Sequence, residues 1–222
     1  MSGIVKNIYS ASLLFAASTF CSQASSIIII DPYDYSATVT SDGTVENPSI
    51  LGGEIAFDFD PTLNNEIAAT VNIGGGTMAV TGVTQLGSST GILIMDYDGF
   101  TGGAGYLLNL DASGTTGMAF DVVSVTGSVG AAIVVYTKGG FTDRRTISRS
   151  NLPSGQTNTF LFSDFSTGGD PDLADVDRIS LQLQMNTGEE ITISNFRFIP
   201  EPSTGAMLLG GLSLLAARRR RA

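Results

Sequence analysis

Hydrophobic and polar residues alternate along this chain. In Ile179-Ser180-Leu181-Gln182-Leu183-Gln184-Met185 every second side chain is apolar and those between are polar. That is the period of a strand with one buried face. Ile191-Thr192-Ile193-Ser194 and Phe196-Arg197-Phe198 repeat it, whereas Met118 to Val125 is more nearly continuous, as in a strand covered on both faces. The pattern predicts strands at 26–31, 37–40, 53–59, 67–73, 78–84, 91–96, 106–111, 118–126, 131–137, 144–149, 157–162, 178–185 and 190–198. Turn chemistry separates them, as at Ser41-Asp42-Gly43, Asp98-Gly99, Lys138-Gly139-Gly140, Pro153-Ser154-Gly155 and Gly168-Gly169-Asp170-Pro171. A spacing of about eight to twelve residues points to an antiparallel sandwich or barrel. Helical periodicity is confined to single turns at Ser163–Phe165 and Leu173–Val176. No internal repeat and no linker divides residues 25–199, so they read as one all-β domain.

The two ends break the pattern. At the N-terminus Lys6 precedes an apolar stretch from Ile8 to Phe20, then Ser22-Gln23-Ala24. A basic start, a short apolar run and a small-x-small site predict a secretory signal peptide over residues 1–24, cut after Ala24. At the C-terminus come Pro200-Glu201-Pro202, an uncharged run of fourteen residues from Thr204 to Ala217, and Arg218, Arg219, Arg220 and Arg221. The prolines lack N–H donors and separate domain from tail. As a helix the run is about 20 Å long against a hydrocarbon core of about 30 Å. The arginines can snorkel, and they keep that end cytoplasmic, so the expectation is a short transmembrane helix with the domain on the far side.

Pro-Glu-Pro, a short apolar helix and a terminal arginine cluster, in that order over residues 200–222, resemble the PEP-CTERM sorting signal. The resemblance implies export across the inner membrane and transient tethering there. It further implies processing near Pro200, Glu201 and Pro202 by an exosortase-type enzyme, and a final place in the outer envelope or outside the cell. Proteins with this signal are associated with exopolysaccharide and biofilm.

Composition narrows the chemistry. The chain has no histidine, and its one cysteine, Cys21, lies in the signal segment. Ser-His-Asp and Cys-His catalysis and His- or Cys-based zinc sites are therefore excluded from the mature domain. The formal net charge is −10, and five of the eleven basic residues lie in the end segments, so the domain itself is more acidic still. That argues against nucleic acid as a partner. Gly74-Gly75-Gly76 sits between two β runs and reads as a turn rather than a dinucleotide cradle. Glu54, Asp58, Glu66 and the pair Glu189-Glu190 are candidates for a two-carboxylate glycosidase, but no spacing marks a pair.

Ile30-Asp31-Pro32-Tyr33 near the start and Ile193-Ser194-Asn195-Phe196 near the end resemble the first and last strands of galactose-binding-like jelly rolls. Ser49-Ile50-Leu51-Gly52-Gly53-Glu54 resembles an element of exported jelly-roll proteins, with Ile55 where an arginine often stands. The fold this implies is a jelly-roll-like antiparallel β-sandwich. The class often carries a structural Ca²⁺ tying an early loop to the last strand. By position the implied ligands are Asp31 and Asn195, with Asp34 or Glu46 as further candidates. For carbohydrate, Asp96-Tyr97-Asp98-Gly99-Phe100 combines acids, aromatics and a turn, making Tyr97, Asp98 and Phe100 the candidate sugar-facing residues. Arg144, Arg145 and Arg149 form the basic cluster of the domain. The expected function is a non-catalytic envelope or matrix protein, its partner an extracellular polysaccharide. A dedicated carbohydrate-binding module is the alternative, and a carboxylate-based glycan-active enzyme a third reading.

Overall fold

A computed structural model describes residues 27–59, 64–87, 90–99, 107–137, 143–165 and 171–201. The described residues include thirteen strands: β1 (Ile29–Asp31), β2 (Ala37–Val39), β3 (Gly43–Glu46), β4 (Glu54–Asp58), β5 (Ile67–Gly74), β6 (Thr77–Gln85) and β7 (Gly91–Tyr97), followed by β8 (Thr115–Thr126), β9 (Gly130–Thr137), β10 (Asp143–Arg149), β11 (Gln156–Leu161), β12 (Val176–Met185) and β13 (Glu190–Pro200). A single 3₁₀ turn, Phe162–Asp164, falls where one helical turn was expected. Among the described residues no helix is long and apolar enough to cross a membrane, and the run 204–217 lies outside them.

The strands form two sheets. One has seven strands, in the order β11-β8-β13-β6-β5-β2 with β1 also paired to β13. The other has six, in the order β10-β9-β12-β7-β4-β3. The chain passes repeatedly from one sheet to the other, which gives the jelly-roll-like sandwich. Apolar residues of both inner faces fill the space between. Met95, Leu181 and Ile133 form one row across the six-stranded sheet, facing Met78, Val80, Ile191, Ile193 and Phe120 of the other. Rings cross between the layers near one end: Tyr97 lies 5.6 Å from Phe196, Phe196 6.3 Å from Phe120, and Phe120 5.5 Å from Phe160.

The first half of β8 is covered on both faces, from Gly117 through Phe120, while Val123 is exposed, so the near-continuous apolar run is only half satisfied by burial. Two irregularities shape the sheets. In β6 an extra residue opposite Ala69 is accommodated by Gly82 at φ +65°. In β12 Asp177 is the extra residue between Val176 and Arg178.

Three expectations need correction. Residues 107–111 are not a strand. Leu108 and Leu110 donate to the carbonyls of Asp177 and Val176, but only one bridge forms, and Asn109 at φ +46° breaks the extended path. Strand β3 was not anticipated. The Ser41-Asp42 bend closes sooner than predicted, with Asp42 accepting the Phe59 N–H at 2.8 Å, and Gly43 already pairs with Phe57. Leu173 and Ala174 form a plain turn, and Val176 already begins β12.

Phe196 is fully buried among rings of both sheets. Phe196→Ala should therefore lower unfolding free energy by about 3–5 kcal/mol in urea titration.

Candidate functional site

Register decides which side chains share the outward face of the six-stranded sheet. Residues directly opposite in neighbouring strands point the same way, and successive residues point oppositely. Because Ile55, Tyr97, Ile179 and Val135 face the core, the adjacent row faces out. It contains Arg178, paired with Tyr136, which is paired with Arg144. The next outward row contains Ala56, Asp96, Ser180, Val134 and Thr146. Ser180 and Val134 are buried although they point away from the core, and Asp96, Asp98, Tyr136 and Arg178 are half-buried. The polar groups thus line a sunken floor.

Arg178 is the centre of that floor. Its Nη1 lies 3.2 Å from Asp96 Oδ2 and 4.0 Å from Asp98 Oδ2. Its guanidinium carbon sits 4.7 Å from the centroid of the Tyr136 ring, within cation–π range. Ser180 donates its hydroxyl to Asp96 Oδ1, leaving Asp96 held on both oxygens. Asp98 is the least satisfied member. Burial raises its pKa above the ordinary carboxylate range, Arg178 opposes this, and Asp96 adds to it. Glu54 is also raised, first by burial and then by Asp98 and Glu46.

The residues expected to face a sugar do not share one face. Asp98 does belong to the outward floor. Tyr97 does not, because its parity with Met95 and Leu93 turns it inward, where it is fully buried against Phe196. It cannot serve as a sugar platform. Phe100 lies outside the described residues, as do Ala24, Pro202 and Arg218–Arg221. The basic cluster is split by strand alternation. Arg144 lies on the outward face, whereas Arg149 turns to Asp164 at 3.4 Å and over Phe160. Tyr136 and Arg178 were not singled out from sequence. The alternation through Ile179–Met185 was their available signal, since it places Arg178 on the polar face with Ser180 and Gln182.

The candidate calcium ligands do not converge. Asp31 is fully buried: its Oδ1 accepts the Tyr33 N–H at 2.8 Å, and its Oδ2 accepts the hydroxyls of Tyr35 at 2.9 Å and Tyr97 at 3.4 Å. Asn195, at φ +53°, instead points outward and donates to Asp121 Oδ2 at 2.9 Å. Asp121 also receives Thr157 and a two-pronged contact from Arg197. Burial pushes Asp121 up, but these bonds outweigh it and hold the carboxyl below its usual range. Asp34 is exposed and Glu46 sits across the sandwich's other sheet. Among the described residues no three His, Cys, Asp or Glu side chains gather as a metal centre.

The C-terminal end carries the decisive comparison. Residues 198–221 match the PEP-CTERM protein-sorting motif. The motif begins inside β13: Phe198 is buried and donates its N–H to the Ile28 carbonyl at 2.9 Å, and Pro200 is the last strand residue. No curated protein matches the chain. Among solved structures it is similar to the family 11 carbohydrate-binding module of the cellulosomal cellulase Lic26A-Cel5E of Clostridium thermocellum, at 16% identity over 80% of this chain and 96% of that one, with TM-score 0.42. It is also similar to a family 28 module specific for non-crystalline cellulose, at 14% identity over 73% and 100%, TM-score 0.38. A third similarity is to the agarase AgWH50C, at 14% identity over 72% of this chain and 25% of that one, TM-score 0.42.

Asp31 makes stability depend on pH. Burial, opposed by its bonds from Tyr33, Tyr35 and Tyr97, raises its pKa to about 6 from 3.8. The folded state then holds a proton that the unfolded state has released. The resulting stabilisation is full below the unfolded value and is lost as pH rises through about 6. The difference in unfolding free energy, wild type minus Asp31→Asn, should fall by about 2 kcal/mol between about pH 4 and pH 7.5. Urea titrations of both proteins across that range check it.

Proposed function

We propose that this chain is an exported, non-catalytic β-sandwich, processed at its sorting motif by an exosortase-type enzyme, that binds extracellular polysaccharide on the outward face of the six-stranded sheet. The observation that carries the binding reading is the Asp96–Arg178–Asp98 constellation against the Tyr136 ring, set in a sunken floor. A sugar presents vicinal hydroxyls and a weakly apolar ring face. Carboxylates accept from the hydroxyls, a guanidinium donates to them, and an aromatic ring covers the apolar face. Preorganisation supports the same reading, since Ser180 and Asp96 hold Arg178 in place before any ligand arrives. Catalysis has less to draw on. Histidine is absent and the single cysteine is Cys21.

Two measurements test this. Immobilised matrix polysaccharide should retain the wild-type protein, and Tyr136→Ala and Arg178→Ala should each weaken retention by about tenfold or more, corresponding to about 1.4 kcal/mol or more. No retention of the wild type, or equal retention of both variants, contradicts the binding reading. Separately, intact-mass analysis of protein recovered outside the inner membrane should show the chain ending near Pro200–Pro202. Mature protein that still carries Arg218–Arg221 contradicts processing.

A further inference from the structure

We propose that the binding strip continues from Arg178 along the paired strands β7 and β12 as far as Ile92 and Gln184, and that it takes an uncharged glycan lying lengthwise, with Gln182 and Gln184 selecting among sugars. The inference rests on the polysaccharide reading above and adds the length, direction and charge class of the ligand. Strand register lays out the strip. Beyond Asp96 and Ser180, Ile94 lies opposite Gln182 and Ile92 opposite Gln184. Parity turns all four outward, because Leu93, Met95, Leu181 and Leu183 between them face the core and are fully buried. Each of these two rungs sets a branched aliphatic side chain beside a primary amide. Successive rungs are about 6.7 Å apart, so the six residues from Arg178 to Gln184 span about 20 Å. An extended glycan advances roughly 5 Å per ring, given covalent bonds of about 1.5 Å, so the strip accommodates about four rings.

The side chains on these rungs have capacity to spare. Ile92, Ile94, Gln182 and Gln184 are half-buried, held at the surface yet open to solvent. Among the described residues neither glutamine amide has a hydrogen-bond partner. Each amide offers two donors and an acceptor, which sugar hydroxyls can use from either direction. The isoleucines supply apolar surface for the ring faces. Gln184 lies close against the sheet. Its Oε1 is 3.2 Å from where a Cβ on Gly130, its partner in β9, would stand. The glycine thus leaves room for the amide to lie across β9.

Charge decides the class of glycan. The two amide rungs carry no charge, and β4 brings Asp58 opposite Ile94 on the same outward face. At the other end of the strip Arg178 is already engaged by Asp96 and Asp98. A glycan bearing carboxylates or sulfates would set its charges beside these three aspartates, with no uncommitted cation on the strip to offset them. Like charges brought together across an interface oppose binding. The chain as a whole has a formal net charge of −10, which adds long-range repulsion of a polyanion. An uncharged backbone meets neither penalty and still satisfies the amides.

The test uses the full chain in a sugar-free zwitterionic detergent, retained on immobilised matrix polysaccharide. The competitors are partial hydrolysis fragments of that polysaccharide, divided by anion exchange into uncharged and acidic pools and then by length. Uncharged fragments of about four rings should displace the protein at concentrations about tenfold or more below those needed with two rings, and the acidic pool should compete more weakly at every length. In the double variant Q182A/Q184A that gain with length should shrink to about twofold or less, and an unchanged melting temperature shows that the variant folds. Equal competition by short and long fragments overturns the proposal, as does stronger competition by the acidic pool or a wild-type gain with length in the double variant. Each of these is read with the wild type retained, so the polysaccharide reading survives them. A wild type that is not retained at all overturns both.

Discussion

Burial of two apolar sheet faces against each other is the interaction from which the other features follow. Each strand must keep its inward positions apolar, and a slip of one residue would exchange the two faces. Register is therefore locked by Met95, Leu181 and Ile133 in one sheet and by Ile191, Ile193 and Phe120 in the other. The rings of Tyr97, Phe196, Phe120 and Phe160 close the end of that core. Once the inward row is set, the outward row is set too. Asp98, Arg178 and Tyr136 meet on the surface because Tyr97, Ile179 and Val135 meet beneath it.

Asp31 is the exception inside this apolar layer. It belongs to β1 of one sheet, yet one of its hydroxyl partners is Tyr97 at the end of β7 in the other. A short strand with little apolar area is thus tied across the sandwich by polar contacts. Tyr33 takes φ +55° so that its own N–H can reach the carboxylate. Backbone strain and carboxylate burial both oppose folding at this point. The hydrogen bonds and the surrounding core offset them.

Much of the fold was legible because alternation is a local signal. Ile179–Met185 and Glu190–Phe198 could be assigned to strands and given a buried face by parity alone. Gly43–Glu46 was not, because Gly-Thr-Val-Glu offers one apolar residue and forms a strand that, among the described residues, pairs with β4 alone. Residues 107–111 misled in the opposite direction, since Leu-Leu-Asn-Leu imitates a strand and the turn of Asn109 leaves no trace in composition. The candidate site was harder. Tyr97 beside an Asp-Gly turn looked exposed, and parity with Leu93 and Met95 would have shown otherwise. Joining Asp31 to Asn195 captured the correct neighbourhood, since Asp31 pairs with Phe196. It missed that a positive φ turns Asn195 away. Arg178 and Tyr136 come together only through pairing of β12 with β9, a contact that no local pattern announces.

The seating of β1 against β13 has a mechanical consequence. Ile29 lies opposite Arg197, and Ile28 accepts from Phe198, so the chain enters and leaves the sandwich side by side. Only Glu201, Pro202 and Ser203 separate the end of β13 from the apolar run at Thr204. Fully stretched, they reach about 10 Å. By that pairing the first and last strands of the sandwich are tucked into one seam.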